Sequence, residues 1–296
     1  MRSRRRIRWA AVPLATAVII ALAGCTQAQL HGFLPGFQDG KPPVTAEAER
    51  ISNLWVGSWI VLLVVGAVTW FLIIFAAIAY RRRRGQTGLP AQLRYNMPIE
   101  AFYTVVPLIL VLGFFAFTAR DQAEITSHPK PDQRVEVYGK QWGWDFNYLT
   151  ENVYTPGVQT QQKEPGVAGT GVVQSTVPQL VLPVDSTIEF QIRSRDVAHS
   201  FWVVDFLEKI DAYPHKANYM TVHTSREGTY AGKCAEFCGD YHAQMLFTVK
   251  VVSKSAYQSY IQSLKSQGFT GRLGANYDRT PQLLKDHAPS EESQVK

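Results

Sequence analysis

Apolar positions in this chain fall into two regimes. Up to Ala119 they come in long runs, and from Val135 onward they come in short runs broken by Pro, Gly, Asp and Ser. Leu54 to Tyr80 is 27 residues without a charge. As a helix that run is about 40 Å long, enough to cross a hydrocarbon layer of about 30 Å with tilt. Trp55, Trp59 and Tyr80 suit the two interfaces, and Arg81 to Arg84 follow at the end expected to stay cytoplasmic. Ala101 to Ala119 is a second run of 19 uncharged residues, in which Pro107 predicts a kink. Pro98 sits near its start, where a missing N–H costs little. Four consecutive arginines between the runs do not fit the turn of a buried core hairpin, so the pattern predicts a transmembrane hairpin, 54–80 and 101–119.

The first apolar run, Ala10 to Ala23, is too short to span. Arg2, Arg4, Arg5, Arg6 and Arg8 precede it, which makes residues 1–24 a signal peptide. The run ends Leu22-Ala23-Gly24-Cys25 and resembles a bacterial lipobox, which implies cleavage before Cys25 and lipid on its sulfur. The topology then closes. Residues 25–53 lie outside, the first span runs inward to the arginines, the second returns, and everything from residue 120 is extracytoplasmic.

The outer part reads as β. Val135–Tyr138, Gln179–Leu182, Ile188–Ile192, Phe201–Val204, Tyr219–Val222 and Leu246–Val252 are rich in Val, Ile, Phe and Tyr and bounded by turn residues. Several short strands in this space predict an antiparallel sandwich or barrel over 120–254, with 155–176 as a long loop. Residues 255–296 form a C-terminal segment in which Ser255–Lys265 is helical and the part from Gly268 is irregular. His31, His128 and His287 fall in loops or the tail and read as solvated; His215 and His223 carry no assigned role.

Charge sharpens this picture. The net charge of +6 divides into +5 over residues 1–24, +3 over 25–119 and −2 over 120–296. The folded outer part therefore lacks the basic footprint that nucleic-acid binding needs. Charged residues make up 18% of the chain, against about 25% in soluble domains, as membrane segments require. Three cysteines are too few for a disulfide scaffold, and Cys-x-x-Cys-His, the c-type haem attachment motif, is absent.

The chemistry concentrates in Cys234-Ala-Glu236-Phe-Cys238-Gly-Asp-Tyr-His242-Ala-Gln-Met245, with His199 upstream at the start of a strand. A Cys234–Cys238 disulfide is one reading, favoured by an oxidising compartment. A metal is the other, because His242 and Met245 add nothing to a disulfide. Zinc accepts two thiolates and two imidazoles but gains little from a thioether, whereas the mixture of thiolate, imidazole and thioether suits copper.

From Ser52 to Val252 the chain resembles subunit 2 of the haem–copper cytochrome c oxidases, through Cys-x-x-x-Cys-x-x-x-His-x-x-Met with an upstream His. The resemblance implies a cupredoxin-like Greek-key barrel behind the two-helix hairpin, in the membrane of a bacterial cell. It implies a binuclear copper centre, CuA, in which Cys234 and Cys238 bridge two coppers. His199 and His242 bind one each, and Met245 sulfur and the Glu236 carbonyl are weaker ligands. Gln141-Trp142-Gly143-Trp144 matches the family's aromatic segment, with Trp142 taking up the electron; a packed strand Trp is the plainer alternative. Gly143 stands where an aromatic is usual, and Val204 where many members have Pro. The Glu236 side chain matches the carboxylate that reaches a Mg²⁺ shared with subunit 1. Glu100 matches the glutamate at the cytoplasmic mouth of the K proton pathway; a solvated carboxylate at a helix N-terminus is the alternative.

The implied function is electron uptake from a c-type cytochrome and transfer to haem a of subunit 1, where haem a3 and CuB reduce O2 with proton pumping. The implied partners are subunits 1 and 3 and the cytochrome donor, with membership of a bc1–aa3 supercomplex left open. A membrane-anchored copper chaperone also uses Cys-x-x-x-Cys and a distant His. It usually carries a thioredoxin-like pattern, one anchor and no methionine three residues after a histidine. A quinol oxidase subunit 2 shares the spans but lacks these ligands, and a nitric oxide reductase with CuA is a further variant.

Overall fold

The computed structural model describes residues 27–38, 40–83, 85–89, 94–165 and 170–279. The signal sequence, Cys25 and the chain beyond Arg279 lie outside the described residues.

After a single helical turn, α1 (Gln27–Leu30), Thr45 starts the first long helix, α2 (Ala46–Ala79). Its Oγ1 accepts from Ala48 N at 3.1 Å, and Glu47 and Glu49 sit in the first turn, at the positive end of the helix dipole. Asn96 caps α3 (Met97–Ile125) in the same way through Ile99 N, and α3 continues through Pro107. Both helices outrun the charge-free segments at the ends nearer the β domain, because the extra turns carry paired charges. Arg50 lies 4.0 Å from Asp121 and 3.8 Å from Glu124. Absence of charge marked the lengths that need an apolar surrounding and missed the polar turns above them. In the most apolar stretch of each helix no residue is buried within the chain. Such faces require lipid or another subunit.

Among the described residues, the domain that follows the helices has ten strands: β1 (Gln133–Lys140), β2 (Gly143–Tyr148), β3 (Val153–Thr155), β4 (Gln179–Pro183), β5 (Ser186–Ser194), β6 (His199–Val203), β7 (Glu208–Ala212), β8 (Asn218–Thr224), β9 (Gly228–Cys234) and β10 (Leu246–Val252). One sheet has the order β3-β2-β1-β5-β8 and the other β4-β10-β9-β6-β7. The expected fold class holds, a helical hairpin followed by an all-β, cupredoxin-like Greek-key barrel. The expected purely antiparallel pairing does not. β1 pairs parallel with β5, and β4 parallel with β10. The chain crosses from one sheet to the other before and after β4, and strand periodicity alone does not record which sheet a strand joins.

Inward-facing aromatics fill the space between the sheets. Phe201 and Phe247 stack at 4.8 Å, and Trp144 meets both edge-on at 5.6 and 5.3 Å. Each is essentially unexposed and contributes about 1.5–3 kcal/mol through burial, or more for the indole. The N-terminal segment ties the helices to this barrel. Ser225 N donates to Val44 O at 2.8 Å, and His223 N donates to Glu47 Oε2 at 2.9 Å. His31, read as solvated from its loop setting, stacks on Phe37 at 3.8 Å and bonds Ser52 Oγ at 2.9 Å.

The last helix, α4 (Lys254–Ser266), is capped by Ser253 and buries Tyr257, Ile261 and Leu264 along one face. Residues 268–279, expected to be irregular, form no strand but are fastened to the first sheet. Leu273 N donates to Asn147 Oδ1 at 2.9 Å, Arg272 Nε to Glu136 Oε2 at 2.7 Å, and Arg195 to the carbonyls of Leu273 and Gly274 at 2.9 Å each. Arg195 is 2% exposed, lies over the Tyr138 ring at 3.9 Å, and donates to Asp145 at 2.7 Å. Asp145→Ala leaves that guanidinium buried beside a missing partner. It is expected to destabilise the chain by about 3–5 kcal/mol in a denaturant titration of the detergent-solubilised protein. A loss under about 1 kcal/mol contradicts the buried pairing.

Candidate metal centre

The register of three strands assembles the cluster. Phe201 of β6 pairs with Cys234 of β9, and His199 lies two residues earlier on the same face. β9 and β10 are joined by residues 235–245, and Cys234 N donates to Met245 O at 3.0 Å, which closes the ends of that loop on each other. Ala235 N donates to Ser200 O at 3.1 Å and fixes the loop's departure against β6.

The loop folds its donors inward. Cys234 Sγ and Cys238 Sγ are 3.9 Å apart and both cysteines are free. A disulfide needs about 2.05 Å, so the structure has two separate thiols here. His199 Nδ1 lies 3.8 Å from Cys234 Sγ, and His242 Nδ1 lies 3.4 Å from Cys238 Sγ. Met245 Sδ is 3.7 Å from Cys238 Sγ, and Glu236 O is 3.2 Å from Cys234 Sγ. His199 and Met245 are unexposed and both thiols nearly so. All six positions singled out by the motif converge, and the donor atoms of His199, Cys234 and Cys238 fall within 4.8 Å of one another. Two sulfurs at this spacing admit an ion about 2.3 Å from each, the usual thiolate–metal distance.

Local electrostatics distinguish the two thiols. Burial raises the Cys234 pKa, but the His199 imidazole and backbone N–H groups outweigh it, and the thiol is held below its usual value. Burial, then the neighbouring Cys234 sulfur, push the Cys238 thiol up to about 12. Burial opposes the His199 imidazolium, yet Asp196 and the Cys234 sulfur prevail and its pKa is raised. Asp196 Oδ1 accepts from His199 Nε2 at 2.8 Å, so Nδ1 is the nitrogen turned to the sulfurs. A carboxylate on the far nitrogen fixes both tautomer and ring direction.

Around the donors, Gln141 Nε2 and Trp142 Nε1 both donate to Cys238 O, at 2.8 and 3.1 Å. Trp142 is partly buried and meets Tyr241 edge-on at 5.0 Å. Trp144 Nε1 donates to Met245 O at 3.3 Å. Gly143 has its missing side chain explained by the Val158 carbonyl, 3.1 Å from where a Cβ would stand. The Glu236 side chain is exposed. Glu100 stands far away at the start of α3, where its Oε1 accepts from Asn96 N at 3.2 Å. Sequence reasoning gave Asp196, Gln141 and Gly139 no role of their own. Asp196 was legible as an acid three residues before a candidate ligand. The contacts of the other two, with Cys238 and with His199, become visible only once the strands are paired.

The geometry is that of a candidate metal site of two thiols, two imidazoles and a thioether, in a β domain that follows two membrane-length helices. A family model described as "Cytochrome C oxidase subunit II, periplasmic domain" matches residues 134–252. A probable cytochrome c oxidase subunit 2 of Streptomyces avermitilis is 43% identical over 294 residues, 90% of each chain. The cytochrome c oxidase subunit 2 of Corynebacterium glutamicum is 34% identical, across 82% of this chain and 80% of the relative. Among solved structures, the periplasmic domain of cytochrome oxidase subunit II of Bradyrhizobium japonicum is 31% identical. It covers 48% of this chain and 99% of its own, with a TM-score of 0.42.

This chain belongs to the cytochrome c oxidase subunit 2 family. Its two apolar helices fit a membrane subunit of a bacterial oxidase. The chaperone alternative is not favoured.

The close packing of His199 yields a test. A Cβ at Gly139 would lie 2.9 Å from His199 Cδ2, so Gly139→Ala displaces the ring. Affinity of the cluster for metal should fall by about tenfold or more in chelator competition, as when an orienting group is lost. Unchanged affinity contradicts the role assigned to this contact.

Proposed function

We propose that Cys234 and Cys238 bridge two copper ions and that the chain takes up electrons from a c-type cytochrome for delivery to haem a of subunit 1. The observation that carries this reading is the pair of unbonded thiols 3.9 Å apart, flanked by an imidazole on each side and a thioether. In this reading His199 and His242 each hold one copper through Nδ1, and Met245 sulfur and the Glu236 carbonyl are weaker ligands. A thioether beside thiolates and imidazoles favours copper, because zinc gains little from it. Such a centre supplies one-electron storage shared between two ions.

The chain's own residues supply rigidity and a path. The closed ends of the 235–245 loop, Asp196 behind His199 and Trp144 beneath Met245 restrict movement of the donors. Trp142 is the proposed point of electron uptake, supported by its partial exposure and its hydrogen bond to the carbonyl of Cys238. The exposed Glu236 carboxylate is proposed to reach a Mg²⁺ at the boundary with subunit 1, where haem a, haem a3 and CuB reside. Subunit 3 and, for some donors, a bc1–aa3 supercomplex complete the proposed partners. Glu100 is proposed to stand at the cytoplasmic mouth of the K pathway, with its cap on α3 as its local structural role. Cys25 is proposed to be lipidated after removal of residues 1–24, leaving the mature N-terminus and the barrel extracytoplasmic. Intact-mass analysis of membranes decides that point: an unmodified peptide continuous through Gly24-Cys25 contradicts it.

The copper reading predicts two coppers per chain in the purified full-length protein, with a seven-line copper hyperfine pattern from an electron shared by two equivalent nuclei. Cys234→Ser should abolish that pattern. One copper per chain with four lines contradicts the bridged centre. Trp142→Phe should keep both coppers and slow oxidation of the cytochrome donor by about 10–100-fold, the range for groups bonded just behind metal ligands. A wild-type rate, measured where electron uptake limits turnover, returns Trp142 to core packing.

A further inference from the structure

In the segment 268–279, Arg279 reaches the carboxylate that stands behind His199. Arg279 N donates to Arg195 O at 2.9 Å, and Arg279 Nη1 donates to Gln141 O at 2.8 Å. The same guanidinium nitrogen lies 3.8 Å from Asp196 Oδ2. Asp196 is nearly unexposed and accepts three hydrogen bonds: from His199 Nε2, from Gln141 N at 2.8 Å and from Val197 N at 2.8 Å. Among the described residues its ion-pair partners are His199 and Arg279. Lys140, next to Gln141 in sequence, is committed to Asp145 at 2.7 Å.

The placement of Arg279 is over-determined. Asp278 pairs with Arg195 at 3.2 Å, and the preceding turns are held by Asn147, Glu136 and Arg195 itself. The segment runs as a strap across β2 and β1 and presents one cation at Asp196. Arg279 also lies beyond residues 134–252, the part that the family model matches.

We propose that Arg279 is a positioning residue for the copper centre. It fixes Asp196 and, through that carboxylate, sets how strongly His199 donates to the metal. This inference rests on the copper reading above. A cation beside Asp196 draws charge away from the oxygen that accepts the Nε2 proton. Without it, Asp196 pulls harder on that proton, Nδ1 becomes a stronger donor, and the oxidised centre gains relative to the reduced one. Loss of a positive charge near the metals acts in the same direction.

The test uses the full-length chain in detergent with Arg279→Gln and Arg279→Lys. Arg279 is 55% exposed, so neither change disturbs the core. Arg279→Gln should retain two coppers and lower the midpoint potential, with Arg279→Lys close to wild type. In an Asp196→Asn background the Arg279→Gln shift should shrink, because the carboxylate that transmits it is gone. A copper-independent readout comes from amide hydrogen exchange in the metal-free chain. The Gln141 and Val197 amides, both bonded to Asp196, should exchange several-fold faster in Arg279→Gln.

An unchanged potential, unchanged exchange, or a shift that persists at full size without Asp196 overturns the proposal. If the wild-type chain fails to take up two coppers, the copper reading falls. The exchange measurement then still decides whether Arg279 holds Asp196.

Discussion

Cys234 N donates to Met245 O at 3.0 Å, and everything the centre needs depends on that closure. The bond pins the first and last donor-bearing residues of a twelve-residue stretch to each other across the end of the β9–β10 ladder. With its ends fixed, the intervening chain turns back on itself and places Cys238 and His242 inside the ring. The register of β6 against β9 then brings His199 to the open side. The two sulfurs are held close enough to share ions and too far apart to bond. A flexible loop with the same residues would close into a disulfide in an oxidising compartment.

A second set of constraints works from outside the sheet. The buried pair Asp145–Arg195 and the half-exposed pair Glu136–Arg272 link β1 and β2 to the strap at 268–279. Pairs of this kind add little net stability over a well-packed apolar equivalent, but removing one member is costly. Their contribution here is geometric. Arg195 adjoins Asp196, the carboxylate that orients His199, so the polar network and the donor set share a boundary. The aromatic core supplies the bulk of the burial on the opposite side, where Trp144 reaches from the stacked Phe201 and Phe247 to the Met245 carbonyl.

Much of this was legible in the sequence, for reasons that differ by element. The helices announced themselves by uncharged length. β5 has apolar residues at 188, 190 and 192 in strict alternation, and all three are buried. The donor motif was legible because most of its members lie in one stretch. Four strands were missed. β2 is wholly buried yet carries Asp145 and Asn147, whose partners are Arg195 and the strap. β9 contains Gly228 and Gly232, the latter leaving room for the Phe247 ring. β7 is a charged edge strand, and β3 has three residues. The strap had no apolar period at all. Its order comes from single hydrogen bonds to residues more than seventy positions away, and one chain's periodicity carries no trace of those.

X-ray absorption at the copper edge on the purified full-length chain tests the central claim most directly, because it counts neighbours of the metal itself. The account predicts that each copper sees two thiolate sulfurs, one imidazole nitrogen and a second copper in direct proximity. A single sulfur per copper with no copper neighbour would contradict it, because the two thiols would then serve separate ions.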